Sequence, residues 1–240
     1  MRGLPGWQAE AGLVPSGRQV PRVGTTRAGQ LVHGDICGPI SPATPGGKRY
    51  FLLLVDDHSR YTWLVLLRSK DEAAEAIRRF KAAAETESRR SLRTFRTYRG
   101  GEFTSTAFAE YCADHGVQRH LTAPYSPQQN GVVERRNLTV VGMARCMLKA
   151  RGVPASFWGE AVTTAVFPMN RSYTRSLTGK TPFEAWHGRK PNVHFLRVFG
   201  CVAHVKDTRP HLAKLADRSK VMVFIGYEPG GFNLTVNTEC

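Results

Sequence analysis

Two apolar runs in residues 49–69, RYFLLLVDDHSRYTWLVLLRS, decide the fold of the amino-terminal half. Both runs are rich in aromatic and branched residues, which favour β-strands, and the polar triplet HSR (residues 58–60) separates them. This pattern predicts an antiparallel hairpin. Upstream, residues 31–36, LVHGDI, form a short apolar strand that contains one acid, Asp35.

Downstream of the hairpin, helical and strand patterns alternate. Apolar residues at helical spacing predict a helix over residues 73–84, and LRTFRTY (residues 92–98) is a strand that ends at a Gly-Gly pair. Further patterns predict a helix over 104–115, a strand from 117 and a long helix over 132–150. The order βββαβαβα predicts an α/β fold with a five-stranded mixed sheet flanked by helices.

The composition of the chain changes outside this region. Residues 1–29 are rich in Gly, Pro and Arg without periodicity, which indicates a disordered arm. We expect a core over residues 30–153, an extension of helices and isolated strands over 154–230, and a tail over 231–240. The first helix of the extension is expected to stop near Pro168. No apolar run is long enough to span a membrane, so no membrane partner is expected.

The charge balance indicates the class of partner. The chain has 34 Lys+Arg and 19 Asp+Glu, a formal net charge of +15. Such a surplus attracts polyanions, which favours nucleic acid over a merely basic soluble surface and over a small-molecule substrate. Part of it is a basic run around the fourth strand, Arg89, Arg90, Arg93, Arg96 and Arg99. The five widely spaced cysteines indicate reduced thiols in an intracellular compartment.

Three positions form a candidate catalytic constellation. Asp35 lies in the first strand, position 98 ends the fourth, and Glu134 lies in the first turn of the long helix. If the first and fourth strands are neighbours, the first two positions are adjacent and the helix can bring Glu134 over them. Three carboxylates there would hold two Mg²⁺ ions about 3.5–4 Å apart, a pair suited to phosphodiester chemistry.

The sequence resembles the integrase core of copia-type LTR retrotransposon Pol polyproteins. The resemblance runs through the following segments: HGDICGPI, VDDHSRYTW, RGGEFTS, YSPQQNGVVERRNLTVVGMARCML, FWGEA, SLTGKTPFEAWHGRKPNVHFLRVFGCVAHV and VFIGYEPG. It implies an RNase H-like fold, and a triad of two aspartates and a glutamate that cuts and joins DNA with Mg²⁺ or Mn²⁺. Asp35 matches the first acid of that triad and Glu134 the third.

The second acid of the family's triad is replaced by Tyr98. A phenol with a reference pKa of about 10 is neutral at pH 7 and is a poor Mg²⁺ ligand. We therefore expect metal binding to be weakened and catalysis to be impaired. Two alternatives remain: Glu102 could substitute for the missing acid, or Tyr98 could stack on a base.

Residues beside the third acid are candidates for DNA contact. Gln128, Gln129 and Asn130 precede the long helix, and the family uses this loop at the DNA end. The alternative is an ordinary Asn-Gly turn. Arg135 and Arg136 follow Glu134 and could reach a phosphate backbone, or they could be a solvated helix face. The pair Asp56-Asp57 is better explained by a polar bend than by a catalytic site.

Two functions remain open at this point. The first is a retrotransposon-derived integrase core that binds DNA and is catalytically impaired. The second is a host-recruited, non-catalytic DNA-binding or scaffold protein on the same fold. The expected DNA substrate implies a nuclear location, and the family implies a possible homo-oligomer.

Overall fold

The computed structural model describes residues 25–122, 130–206, 208, 217–228 and 231–236. Its main sheet has five strands: β1 (Leu31–Cys37), β2 (Tyr50–Asp56), β3 (Thr62–Leu67), β4 (Thr94–Thr97) and β5 (Gln118–Leu121). Their order is β3-β2-β1-β4-β5. The β1–β2 and β2–β3 pairs are antiparallel, whereas β1–β4 and β4–β5 are parallel. The predicted hairpin and the predicted five-stranded mixed sheet are therefore confirmed.

Four helices belong to the predicted core region: α1 (Ala73–Ser88), α2 (Gly101–Thr104), α3 (Thr106–Asp114) and α4 (Gly131–Ala150). The single helix predicted over 104–115 is two helices separated at Ser105. This residue has an extended backbone (φ −59°, ψ 143°), and its hydroxyl accepts a hydrogen bond from the Phe108 amide. Ser105 therefore acts as the N-cap of α3 and does not continue a helix.

Strand alternation separates the sheet into two buried faces. The first core contains Val32, Leu52, Leu54, Ile77, Phe80, Phe95, Phe103 and Phe108, so it lies between the sheet and α1 to α3. The second core contains Phe51, Leu53, Val55, Val133, Val140, Trp158 and Val162, so it lies between the sheet and the helices α4 and α5 (Trp158–Arg171). Asp35 is level with Leu53 on the adjacent strand and so belongs to the face of the second core.

Gly34 allows the two central strands to approach on the face of the first core. A Cβ atom at Gly34 would lie 2.6 Å from Cζ of Phe95, the aromatic residue of β4. That distance is shorter than real Cβ contacts, so the Phe95 ring occupies the space that any larger residue at position 34 would need. Phe95 itself is 2% exposed.

The carboxyl-terminal part packs onto this core. Helix α5 contacts α4, β3 and the strand β7 (Ser219–Glu228), which lies in a second, three-stranded sheet between β6 (Val202–Lys206) and β8 (Gly231–Val236). The short helix α6 (Pro182–His187) begins with a capping box in which Thr181 and Glu184 bond reciprocally. No helix among the described residues is long and apolar enough to cross a membrane.

Three expectations about boundaries differ from the structure. The arm was expected to reach residue 29, yet Ala28 is 2% exposed and the Gly29 amide donates to Asp56; residues 1–24 lie outside the described residues. The tail expected from residue 231 begins with β8, which pairs with β7. Helix α5 passes through Pro168 and ends at Arg171, because Asn170 bonds to both the amide and the carbonyl of Thr62. The core and extension boundary expected at residue 154 remains a prediction.

Candidate active site

The register of β1 against β4 brings two of the predicted site positions together. Leu31 pairs with Thr94 and His33 with Arg96. The last paired residues are His33 and Arg96, and the same register extended by two residues would set Asp35 level with Tyr98, the residue that directly follows β4. Adjacent strands lie about 5 Å apart, so this extension would bring the backbone of position 98 next to the acid of β1.

Helix α4 contacts the same acid from above the sheet. The amide Nδ2 of Asn137 donates to Oδ2 of Asp35 at 2.5 Å, and the other carboxylate oxygen accepts from the Ile36 amide at 3.0 Å. Asn137 lies three residues after Glu134, and residues with this spacing are neighbours on one face of a helix. Glu134 is half-buried in the first turn of α4 and lies one helical turn before Asn137, the residue that contacts Asp35.

A buried polar network fixes the start of α4 on β1. His33 is 1% exposed; its Nε2 donates to Asp57 at 3.0 Å, and its Nδ1 lies 3.4 Å from Oδ1 of Asn130. The side-chain amide of Asn130 donates to the Gly34 carbonyl at 3.3 Å. Asn130 is the residue immediately before α4, so this network holds the first turn of the helix, and with it Glu134, against the strand that carries Asp35.

The two acids after β2 have different environments. Asp56 is completely buried and accepts hydrogen bonds from the amide and hydroxyl of Ser59, as expected of a polar bend, and burial raises its pKa. Asp57 contacts His33, Arg60 and Thr25. Burial acts to raise its pKa, but the bond from His33 and the charge of Arg60 outweigh burial and lower the pKa to about 2.

Tyr98 contributes its ring to the first core. The ring is half-buried and packs edge-to-face against Phe103 of α2, with centroids 5.8 Å apart and planes at 82°. Phe103 is fully buried. The next residue, Arg99, donates from Nε to the Thr122 carbonyl at 3.2 Å, which ties the end of β4 to the end of β5. Position 98 therefore adds hydrophobic packing where the constellation would need a carboxylate.

The side chains present do not fit a two-metal site with three carboxylates. Within the described part of the chain, no group of three or more His, Cys, Asp or Glu side chains is arranged to hold a metal ion. Asp35 and Glu134 are two acids, and the phenol of Tyr98 is not an ionised oxygen ligand at neutral pH. The pKa of the Cys37 thiol is raised by burial and by the nearby charge of Asp35.

The predicted DNA-contact residues lie in several environments. Gln128 and Gln129 are outside the described residues. Asn130 is 1% exposed and its side-chain amide donates to the Gly34 carbonyl of β1, so a DNA contact at this residue remains a prediction. Arg135 is exposed, whereas Arg136 is half-buried and donates to the Arg60 carbonyl at 3.5 Å. Burial, with the charge of Arg60, lowers the pKa of Arg136.

Sequence reasoning missed His33 and Asn137, and it missed Asp57 as the hydrogen-bond partner of His33. Two of the three carried a signal in the sequence. His33 lies two residues before Asp35 and so has the same strand parity, and Asn137 lies one helical turn after Glu134. No sequence signal marked Asp57 as the partner of His33, because that contact joins two strands through the β1–β2 pairing.

Comparison with known proteins gives a consistent family. Residues 25–127 match the integrase core domain model. The chain is 41% identical over 206 residues to the retrovirus-related Pol polyprotein from transposon TNT 1-94 of Nicotiana tabacum, covering 85% of this chain. It is 32% identical over 220 residues to the Pol polyprotein from transposon RE1 of Arabidopsis thaliana, covering 90% of this chain. The chain spans 16% and 15% of the lengths of these polyproteins.

Solved structures share the fold. One is the HTLV-2 integrase catalytic core domain in complex with magnesium, with a TM-score of 0.51 and 18% identity; the match covers 68% of this chain and 99% of that one. Another is a simian T-cell lymphotropic virus intasome in complex with a PP2A regulatory subunit, with a TM-score of 0.56 and 15% identity, covering 88% and 77%. The expected RNase H-like fold is therefore confirmed.

Proposed function

Because this chain belongs to the integrase core family, with copia-type retrotransposon Pol polyproteins as its relatives, we propose that it is a DNA-binding integrase core whose catalytic step is impaired. The chemistry of the intact family site is the cutting and joining of DNA ends with Mg²⁺ or Mn²⁺. In this chain the impairment lies at position 98.

Two observations support the proposal. The parallel pairing of β1 with β4, extended by two residues beyond His33 and Arg96, puts position 98 opposite Asp35, and the ring of Tyr98 packs on Phe103 of the first core. Asp35 and Glu134 are acids in the sequence, and Asn137, one helical turn after Glu134, bonds to Asp35. Two carboxylates bind one divalent ion weakly and lack a ligand for a second, so the attacking and leaving oxygens lose their stabilisation.

The net charge of +15 supports DNA as the partner. The solved relatives support assembly of several copies, since one was determined in trimeric and dimeric core forms and another as an intasome. The same proposal sets the site of action in the nucleus, where chromosomal DNA is found.

A strand-transfer assay with Mg²⁺ and with Mn²⁺ tests the impairment. The unmodified chain is compared with Tyr98→Asp and with the matched control Tyr98→Asn, which has the size of aspartate without its charge. We expect product with Tyr98→Asp and background levels with the other two. Product from the unmodified chain would show that Tyr98 does not impair catalysis.

A further result would favour a different function. If Tyr98→Asp is also inactive while DNA binding persists, the fold acts as a non-catalytic DNA-binding protein. The packing of Tyr98 on Phe103 supports this second function, because it gives position 98 a role in the first core.

A further inference from the structure

Three strands align a row of basic side chains next to the candidate active site. His33 of β1 is level with Arg96 of β4, and Arg96 is level with His120 of β5. Two residues further along β1 lies Asp35. Strands rise about 3.3 Å per residue, so Asp35 is about 6–7 Å from this row on the same face of the sheet, whereas the ring of Tyr98 packs on the first core.

This row runs from the protein interior to the surface. His33 is buried beneath Asn130, Arg96 is half-buried, and His120 is exposed. Gln118, on the same face of β5, is exposed as well. Helices α4 and α5 cover this face over β1 to β3. Among the described residues, neither helix covers it over β4 and β5, where Gln118 and His120 are exposed.

Within this row, His33 pairs with Asp57, whereas Arg96 has no carboxylate partner among the described residues. No hydrogen bond or ion pair joins the Arg96 guanidinium to another group among the described residues. In contrast, Arg60 and Lys81 each pair with a carboxylate. A half-buried guanidinium with five donors and no acceptor is suited to a phosphate oxygen.

Strand parity divides the basic run predicted around β4. Arg96 shares the face of His33 and Asp35, whereas Phe95 packs on the opposite face beside Gly34. Arg93 has the parity of Phe95 and is exposed just before β4. Arg93 and Arg96 therefore face opposite sides of the sheet and carry the same charge, so Arg93 is a matched control for Arg96.

We propose that Arg96 and His120 form a phosphate-binding subsite for the DNA backbone, one row from the Asp35–Tyr98 corner. This inference rests on the proposed function and extends it by naming where the strand lies. A DNA strand that crosses the candidate active site continues over the face of β4 and β5 that carries Arg96 and His120, where Arg96 binds a phosphate oxygen and His120 donates to it from the edge of the sheet.

The experiment measures the affinity of the full chain for fluorescent single-stranded and duplex DNA between 50 and 200 mM salt. The variants are Arg96→Gln, His120→Gln and the matched control Arg93→Gln. Loss of one phosphate contact reduces the slope of log K against log[salt] by about 0.9 for duplex and about 0.7 for a single strand. For duplex, the fall in affinity across this range then becomes about 3.5-fold smaller.

We expect this change with Arg96→Gln, a smaller change in the same direction with His120→Gln, and an unchanged slope with Arg93→Gln. His120 is exposed, so its variant tests the subsite even if Arg96→Gln fails to fold. Equal slopes in all proteins, or equal changes at positions 93 and 96, would overturn the subsite and leave the proposed function standing. Absence of salt-dependent binding in the unmodified chain would overturn both the subsite and the DNA partner, independently of the strand-transfer result.

Discussion

The two ends of the candidate active site, the α4–β1 junction and the end of β4, differ in the kind of contact that their side chains make. At the junction of α4 with β1, polar side chains remain joined: Asn137 bonds to Asp35, and Asn130 bridges His33 and Gly34. At the end of β4, the corresponding position holds Tyr98, which packs on Phe103. The first junction is a network of polar contacts, and the second is a hydrophobic contact.

The difference shows that scaffold and chemistry are separable in this fold. A carboxylate at position 98 would require metal ions or other cations to offset its charge. A ring at that position contributes to stability without any ligand. Changes at either end should therefore alter different properties, and the following predictions test that separation.

The largest expected effect is on the aromatic end. Phe103→Ala removes a fully buried ring from the first core and should lower the free energy of unfolding by about 3–5 kcal/mol. Denaturant unfolding measures this loss. Tyr173→Ala is the matched control, because Tyr173 is 74% exposed and its removal should change little. Similar losses at the two positions would contradict the packing role of Phe103.

On the polar end, Asn130→Ala leaves His33 Nδ1 and the Gly34 carbonyl without their buried partner. We expect a loss of about 1–3 kcal/mol in unfolding free energy. Hydrogen exchange should also become faster in the first turn of α4, which loses its anchor on β1. Asn192→Ala, at an exposed local turn, is the control. Unchanged exchange in α4 would show that Asn130 does not hold the helix.

The pH dependence tests the outer part of the same network. Because the pKa of Asp57 is lowered from 3.8 to about 2, its contribution is present above pH 4 and is lost as the pH falls through 2. Between pH 5 and pH 2 the unmodified chain should lose about 2 kcal/mol more stability than Asp57→Asn. The pKa of Asp56 is shifted in both proteins, so its effect cancels. Parallel pH profiles would contradict the ion pair with His33 and Arg60.

The smallest expected effect is at Tyr98. Tyr98→Asp and Tyr98→Asn should each cost about 1 kcal/mol, since a half-buried ring loses its edge-to-face contact with Phe103. Thermal or denaturant unfolding measures the cost of both variants. A gain in stability with aspartate would mean that position 98 favours a charge, and the contrast between the two ends of the site would then be wrong.

Much of the fold could be predicted because its signals are local. Two apolar runs separated by a polar triplet in residues 50–67 predicted the hairpin, and helical spacing predicted α1 and α4. The positions that failed depend on contacts distant in sequence. Helix α5 continues three residues past Pro168, and Asn170 in its last turn bonds to β3; residues 231–236 form a strand that pairs with β7.

The candidate site remains a prediction. Spacing and family resemblance identified Asp35, Tyr98 and Glu134, and the parallel pairing of β1 with β4 runs toward the first two positions. The burial of Asn130 could not be predicted, because a polar residue before a helix has the same sequence pattern whether its amide faces solvent or the core. Only the packing of α4 on β1 decides between these two orientations.

The packing of Phe95 against Gly34 restricts how an acid could be reintroduced at position 98. The ring of Phe95 fills the space that a larger side chain at position 34 would need. Phe95 therefore limits how β1 and β4 can be spaced, from the face of the sheet opposite Asp35. The packing of Phe95 against Gly34 on one face of the sheet therefore helps to fix the distance between β1 and β4, and so the spacing of positions 35 and 98. Variants at position 98 should keep the same spacing of β1 and β4 as long as Gly34 and Phe95 are unchanged.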